Sequence, residues 1–403
     1  MKLTIVSRFP PSPGGTSDYC WHVTRTLADR PEIEGITVIA DRIAENEVVD
    51  LGWIGTAPRF RVVVDRPWHP DGLALAPRIL GAILRTRPDA IWYNLNLSSF
   101  GSSARAFAGF LLPAITRKLG LRSVVTLHDL PNQSLAELGF ADDARTRLGL
   151  DWALAALLQS DAVCVTIRRY QDELLGWRRG GRTEIVHVPL GGYGKPSYEP
   201  PTPSPTILML TAHAPHKNLP LLLNAFASVR PAVPRARLLV AGIDHPRFRG
   251  YLSAVRQQFA WLDGVEWLGP IAEGAMRALF ARSTVVVVPY RVATGASSVI
   301  YRAIEVGRPV VVSDLPEFRA KAIEEDVWLE FVPRDDFQFL ATTLTRLLLA
   351  PQLCQEIAEH NLVAARRYRL PTIAEIYARL FVGTVGDQRS ASVSPSPSGA
   401  LSL

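Results

Sequence analysis

Four short stretches of the chain hold residue types suited to phosphates and sugars. The first is Pro10–Asp18 (PPSPGGTSD), where Gly14 and Gly15 carry no Cβ and let backbone amides come close to a ligand. Thr16 or Ser17 is placed to cap a following helix, whose N-terminal amides and dipole favour an anion. The second is Thr126–Asp129 (TLHD): His128, beside Asp129, can hydrogen-bond a sugar hydroxyl or stabilise charge near a reacting carbon. The third is His213–Asn218 (HAPHKN), in which Lys217 can meet a diphosphate as a compact point charge. His213 and His216 lack a third ligand that would make them a metal site. The fourth is Pro289–Pro309, with Gly295, Ala296, Ser297 and Ser298 ahead of a helical pattern through Val299, Ile300, Ala303 and Ile304. Ser297 or Ser298 would cap that helix and Gly307 would end it, giving a second preformed anion site.

Each stretch follows a strand-like run. Leu3–Val6, Ile36–Ala40, Arg61–Val64, Ala90–Tyr93, Ser123–Leu127, Ala162–Thr166 and Glu184–Val188 read as strands, most of them continuously apolar as in sheets buried on both faces. Amphipathic helical patterns lie between them, so residues 1–192 read as a doubly wound parallel domain. Residues 193–205 are rich in Pro and Gly and read as a linker. A second unit over 206–365 has strands at Thr206–Thr211, Arg237–Ala241, Val265–Leu268, Thr284–Pro289 and Pro309–Ser313. A helix over Pro220–Val229 is expected behind an Asn218 cap. Residues 366–385 should form a last helix packing back on the first domain, and the Ser/Pro-rich 386–403 reads as disordered. Two such domains leave a cleft, and ligands bind at the carboxyl ends of the strands.

Composition narrows the function classes. With 48% hydrophobic and 20% charged residues in 403, the chain is globular. Its net charge of +6 includes no long like-charged run, which argues against a nucleic-acid arm and suits anionic small molecules. Cys20, Cys164 and Cys354 are far apart and fit a reducing compartment. The opening MKLTIVSR reads as a strand, not a signal peptide, and the apolar runs are shorter than the roughly 20 residues of a bilayer span. A cytoplasmic place is expected. Arg105–Arg122 combines apolar residues with flanking cations, so peripheral contact with the inner membrane face is part of that expectation.

Taken in order, these motifs resemble the group-1, glycogen-synthase-like family of retaining nucleotide-sugar glycosyltransferases. The resemblance runs from Met1 to about Phe381 and is most specific over Val265–Glu317 (GVEWLGPI, STVVVVPY, AIEVGRPVVVSDLPEF). PPSPGGTSDY, VVTLHD, DAVCVT, EIVHVPLGG and HKN support it. It implies the α/β GT-B architecture, two Rossmann-like domains facing across a cleft. It further implies transfer of a hexose from a nucleoside-diphosphate sugar, with retention, to a hydroxyl on a glycan or lipid-linked acceptor, in envelope polysaccharide or glycolipid synthesis. No metal and no cofactor beyond the sugar nucleotide are implied, and no nucleic-acid partner.

By the same resemblance His128 and Lys217 are the catalytic pair. Gly14, Gly15, Asp129, Gly295, Ala296, Ser297, Ser298 and Glu317 are substrate-binding. The family commonly has an arginine where this chain has Ala212, and a glutamate pair where it has Thr294 and Arg302. Arg302 could then meet a phosphate and Glu305 the ribose. These departures keep two alternatives open: a weakly active or non-catalytic partner subunit, and a sugar-nucleotide epimerase of the same architecture. A nicotinamide-dependent dehydrogenase is disfavoured because the first loop lacks Gly-x-Gly-x-x-Gly.

Overall fold

The computed structural model describes residues 1–43, 60–101, 104–130, 135–138, 141–177, 182–293 and 295–383. Thr294 and the tail 386–403 lie outside the described residues. The first domain runs β1 (Lys2–Val6), α1 (Gly15–Ala28), β2 (Gly35–Asp41), β3 (Val63–Trp68), α2 (Leu75–Thr86) and β4 (Ala90–Leu95). A 3-10 turn at Ala104–Ala106 leads to α3 (Phe107–Phe110), α4 (Leu112–Lys118), β5 (Arg122–Leu127), α5 (Ala144–Leu157), β6 (Ala162–Val165), α6 (Arg168–Trp177) and β7 (Glu184–His187). The second runs β8 (Thr206–Leu210), α7 (Leu219–Val229), β9 (Arg237–Ala241), α8 (Tyr251–Gln258), β10 (Val265–Gly269) and α9 (Glu273–Arg282). It continues through β11 (Val285–Val288), α10 (Ser298–Glu305), β12 (Val310–Ser313), α11 (Pro316–Glu325), β13 (Glu330–Val332), α12 (Phe337–Leu349), α13 (Pro351–Arg367) and α14 (Leu370–Val382).

Every strand pairing is parallel, in the orders β3-β2-β1-β4-β5-β6-β7 and β10-β9-β8-β11-β12-β13. The continuous apolar runs are the central strands: β4, β6, β11 and β12 are buried at every position. β10 is partly exposed throughout, as an edge strand is. The strand order switches direction between β1 and β4 and again between β8 and β11. At such switch points neighbouring loops diverge and leave a crevice. The loops after β1 and β4, and those after β8 and β11, flank these two crevices, and three of the four candidate loops are among them.

Some local expectations change. β3 begins at Val63, not Arg61, and extends to Trp68. β13 escaped the reading because three residues including Glu330 show no strand period. Residues 193–205 do not hang free: Ser197 N donates to Glu305 O (2.9 Å), and the Arg277 guanidinium holds the Glu199 carboxylate and Ser197 Oγ (2.5 and 2.7 Å). The two crossings between domains run side by side, with Gly192 N donating to Tyr368 O and Leu370 N to Gly192 O (2.7 and 3.2 Å). Just past that crossing α14 packs on the first domain. Tyr377 Oη lies 2.8 Å from Thr126 Oγ1 and 3.1 Å from Tyr19 Oη, and Arg122 Nε donates to Leu380 O (2.6 Å). Among the described residues no helix is long and apolar enough to cross a membrane.

Candidate active site

Helix α1 starts directly after the glycine loop. Its N-cap is Gly14 at φ 123°, a conformation that disfavours side chains, so a glycine is required there by the backbone itself. Thr16 and Ser17 fall inside the first turn and do not cap it. Thr16 Oγ1 instead accepts from Asn96 Nδ2 (3.0 Å), while Ser17 Oγ is buried without a partner. Gly14 and Gly15 are exposed at this helix end, and Asp18 is half-buried in the first turn.

Asn94, at the end of β4, joins this loop to the next. Its Nδ2 donates to Thr16 O and Ser7 Oγ (both 3.0 Å), and its Oδ1 accepts from His128 Nε2 (2.7 Å). That bond places the His128 proton on Nε2. Tyr19 meets the His128 ring edge-on at 5.1 Å. Burial pushes His128 down to about 4, so the ring is neutral near pH 7 and acts as a hydrogen-bonding group, not a cation. Asp129 is not turned toward a ligand: its Oδ1 accepts from Leu97 N (2.7 Å), tying the β4 loop to the β5 loop. Burial raises its carboxyl to about 7, opposed by that amide and by Arg247.

The second domain closes on the same point. A Cβ on Gly295 would stand 2.6 Å from the His128 carbonyl oxygen, so the loop after β11 touches the loop after β5 and admits no side chain there. Ala296 is buried, and Ser297 and Ser298 are half-buried at the head of α10. Ser297 holds φ 47° and makes no side-chain cap, leaving the α10 amides available. The strain at a non-glycine residue is typical of ligand-binding turns. Lys217 lies opposite, in a short 3-10 turn, with its Nζ 3.8 Å from the centre of the Tyr290 ring. Burial lowers it to about 8. Asn218 is left-handed at φ 58° and does not cap α7; its Nδ2 donates to Asp335 Oδ1 (2.9 Å). Thus His128 meets Gly295 directly and is tied to the glycine loop through Asn94, while Lys217 packs on Tyr290 at the start of the loop that carries Gly295.

Three expected ligand residues are engaged elsewhere. Arg302 forks onto Glu273 (3.0 and 2.8 Å) and lies over the Tyr193 ring (4.5 Å). His22 of the first domain donates to the same Glu273 (2.9 Å) and stacks flat on Tyr193 (4.3 Å, 4°). Burial would raise Glu273, but His22 and Arg302 overrule it and hold the carboxylate at about 2. Glu273, held by Arg302 of its own domain and by His22 of the first, is therefore a latch between the domains, and Arg302 is engaged in it rather than open to a phosphate. Glu305 accepts from Gly194 N (2.9 Å) and is buried against Gly192, so it braces the linker instead of reaching a ribose. Glu317, in the first turn of α11, is 7% exposed and lies 3.8 Å from Arg169 of the first domain. Among the described residues no group of three or more His, Cys, Asp or Glu could hold a metal ion.

Sequence reasoning missed Asn94, Asn96, Tyr193, His22 and Glu273. Two asparagines at the end of an apolar strand (WYNLN) were a legible signal. The latch was not legible, since His22 lies 251 residues from Glu273 along the chain.

Residues 204–349 match the family model "Glycosyl transferases group 1". The chain is 28% identical over 237 residues to a phosphatidyl-myo-inositol mannosyltransferase of Mycobacterium leprae, covering 56% of this chain and 60% of that protein's length. In structure it is similar to sucrose-phosphate synthase from Thermosynechococcus elongatus (TM-score 0.69, 17% identity, covering 95% of this chain and 100% of that one). It is also similar to Anabaena HepE solved with UDP-glucose (TM-score 0.68, 18% identity, 95% and 100%). The likeness to the solved structures shows the fold: two parallel-sheet Rossmann-like domains in the GT-B arrangement.

Proposed function

We propose that this chain is a nucleotide-sugar-dependent glycosyltransferase that moves a hexose, with retention and without a metal ion, to a hydroxyl acceptor in polysaccharide or glycolipid synthesis. The observation that carries the reading is the meeting of Gly295 with the His128 carbonyl, which brings a loop of each domain together, with Lys217 packed on Tyr290 at the start of the same second-domain loop. In the reaction the bond from the anomeric carbon to the diphosphate breaks as the bond to the acceptor oxygen forms on the same face. The acceptor's proton passes to the departing phosphate oxygen. Lys217, the α10 amides and the Gly14–Gly15 amides supply preorganised positive potential for the leaving group. Neutral His128 and the Gly295–Ser298 backbone hold the sugar.

The titles of similar proteins suit this reading. One structural neighbour was solved with UDP-glucose, and a relative in sequence is named for mannosyl transfer to a phosphatidylinositol. A membrane-facing acceptor also fits the surface: Leu111, Ile115 and Leu119 are 44%, 36% and 54% exposed along one face of α4 and its flanks, beside Arg117 and Lys118. We place the protein on the cytoplasmic membrane face on that ground.

The test is incubation with UDP-, GDP- and dTDP-sugars, with and without acceptors, following nucleotide release. Lys217→Ala should lower turnover by about 10²–10³ with an unchanged fold; unchanged turnover removes Lys217 from the site. The Arg302–Glu273 latch favours a second reading, a non-catalytic partner subunit, and nucleotide binding without turnover of any sugar would select it.

A further inference from the structure

Three adjacent strands of the first sheet, β1, β4 and β5, end in a polar row: Ser7 directly after β1, Asn94 near the end of β4 and His128 directly after β5. Asn94 is in the middle of that row, in a strand buried at every position, and is itself 0% exposed. A buried amide must place all of its polar atoms, and here each has a partner. One Nδ2 proton goes to Thr16 O and the other to Ser7 Oγ (both 3.0 Å). Ser7 Oγ donates its own proton to Arg8 O (2.7 Å), so toward Asn94 it is an acceptor. The remaining atom, Oδ1, lies 2.7 Å from His128 Nε2.

This network has one consistent assignment of donors. Thr16 O is a backbone carbonyl and only accepts, so turning the amide over would set two acceptors against each other at 3.0 Å. Oδ1 therefore faces the ring, and His128 Nε2 carries the proton that it accepts. A neutral imidazole has one donor and one acceptor, which makes Nδ1 a bare lone pair. The His128 side chain is half-buried, no group among the described residues bonds its Nδ1, and that nitrogen is not one of the buried polar atoms left unpaired. It is the ring atom open to a ligand. An amide at position 94 orients the ring without charging it. A carboxylate there would also accept from Nε2, but it would favour the imidazolium and turn Nδ1 into a donor.

We propose that Asn94 is a positioning residue that locks His128 in its Nε2–H form, and that the Nδ1 lone pair selects the donor sugar by accepting from one of its hydroxyls. This deepens the glycosyltransferase reading and rests on it. A sugar that presents only an acceptor at that point, such as a fluorine or a carboxylate, meets the lone pair and is disfavoured.

The test has two arms on the isotope-labelled full chain. In the first, long-range proton–nitrogen NMR spectra read the ring, with His128 assigned by the signals lost in His128→Gln. The unmodified protein should show a protonated Nε2 and an unprotonated Nδ1 between about pH 6 and 8. Asn94→Asp should raise the titration midpoint of His128 by about 1–3 pH units, and Asn94→Leu should release the ring to the Nδ1–H form or a mixture. An Nδ1–H ring in the unmodified protein, or a tautomer and midpoint unmoved in both variants, overturns the lock. In the second arm, calorimetry finds the tightest binder among UDP-glucose, GDP-mannose and dTDP-glucose, then compares it with analogues in which each hydroxyl in turn is fluorine. One position should lose roughly 10-fold in the unmodified protein and less than about twofold in Asn94→Asp, whose imidazolium donates to the fluorine. Equal losses with and without Asn94 at every position, or no binding of any of the three, overturn the sugar contact. Thermal melts establish which variants fold; if neither does, the ring spectrum and fluorine profile of the unmodified protein decide. An Asn94-dependent fluorine loss in a chain that transfers sugar to no acceptor keeps this role for Asn94 and sinks the transferase reading instead.

Discussion

Lys217 is the one side chain whose ionisation should be visible in activity. Burial holds its ammonium at about 8 in the unliganded protein, and a diphosphate beside it favours the charged form. The sign follows: nucleotide affinity is constant below pH 8 and falls by up to tenfold per pH unit above it, until the pKa of the complex is reached. Lys217→Arg should move that limb out of the accessible range. A profile of nucleotide affinity flat to pH 9.5 in the unmodified protein would remove the lysine from the site. Asp129 gives a second pH dependence, in stability. Its folded-state value of about 7 lies above the ordinary carboxylate value, so its stabilising contribution is full below pH 4 and lost as pH rises through 7. Asp129→Asn keeps an acceptor for Leu97 N and should raise Tm at pH 8 but not at pH 4. Equal shifts at both would mean that the carboxyl is not held protonated. His128 stood out in the sequence because a polar residue directly after an apolar run sits at a strand's carboxyl edge, and Lys217 stood out as a cation in the loop after β8. Asp129 was legible as a neighbour but not as a strut. Whether a carboxylate faces ligand or a backbone amide depends on the next loop over, which no single stretch of sequence contains.

At the scale of elements the strands were legible and their ends were not. Continuous Val, Ile and Leu runs can only be buried parallel strands, which fixes both sheets and the crevice between them. Caps failed at Thr16, Ser17 and Asn218 because backbone geometry and cross-loop hydrogen bonds outcompeted local capping. Arg302 was read as a phosphate ligand because it stands where the resembled family has a glutamate, and the structure instead has α9 bring Glu273 to meet it and α1 bring His22 to that same Glu273. Those three helices are therefore coupled. Glu273→Ala leaves Arg302, whose side chain is 10% exposed, without its forked carboxylate partner and with Asp18, Glu305 and the Tyr193 ring nearby. Breaking a fully buried pair costs about 3–5 kcal/mol. Glu273 is 35% exposed, so about 2 kcal/mol is expected. Denaturant titration of Glu273→Ala, Arg302→Met and the double variant should show coupling above about 1 kcal/mol. Small-angle scattering of Glu273→Ala should give a larger radius of gyration as the domains part. Additive single effects with unchanged scattering would show that the latch does not hold the cleft.

Over the whole molecule, the end of the chain completes the beginning. The second domain finishes with α13, the chain crosses back at Arg369 beside Gly192, and α14 is spent entirely on the first domain. The apolar spacing of Ile373, Tyr377, Leu380 and Phe381 in sequence announced a helix with one buried face, but not which domain would bury it. Tyr377 supplies the reason. Its ring packs on Trp92 at 5.0 Å and on Phe381 at 6.0 Å, and its hydroxyl joins Thr126 and Tyr19, one on β5 and one on α1. Thr126 immediately precedes the strand end that carries His128, and Tyr19 touches the His128 ring. The last helix thus supports the site from behind. Tyr377→Phe keeps the packing, strands the buried Tyr19 hydroxyl and leaves Thr126 Oγ1 only its bond from Trp92 Nε1, which should cost about 1–3 kcal/mol. Tyr377→Ala adds a cavity and should cost about 3–5 kcal/mol. Because the loss falls on the first domain alone, calorimetry should show its melting transition moving down while that of the second domain stays in place. Turnover should fall in proportion to disorder around His128, with nucleotide affinity at Lys217 retained. If both transitions fell together, α14 would be stabilising the two domains as one cooperative unit, and the support it gives His128 could not be separated from the stability of the whole chain.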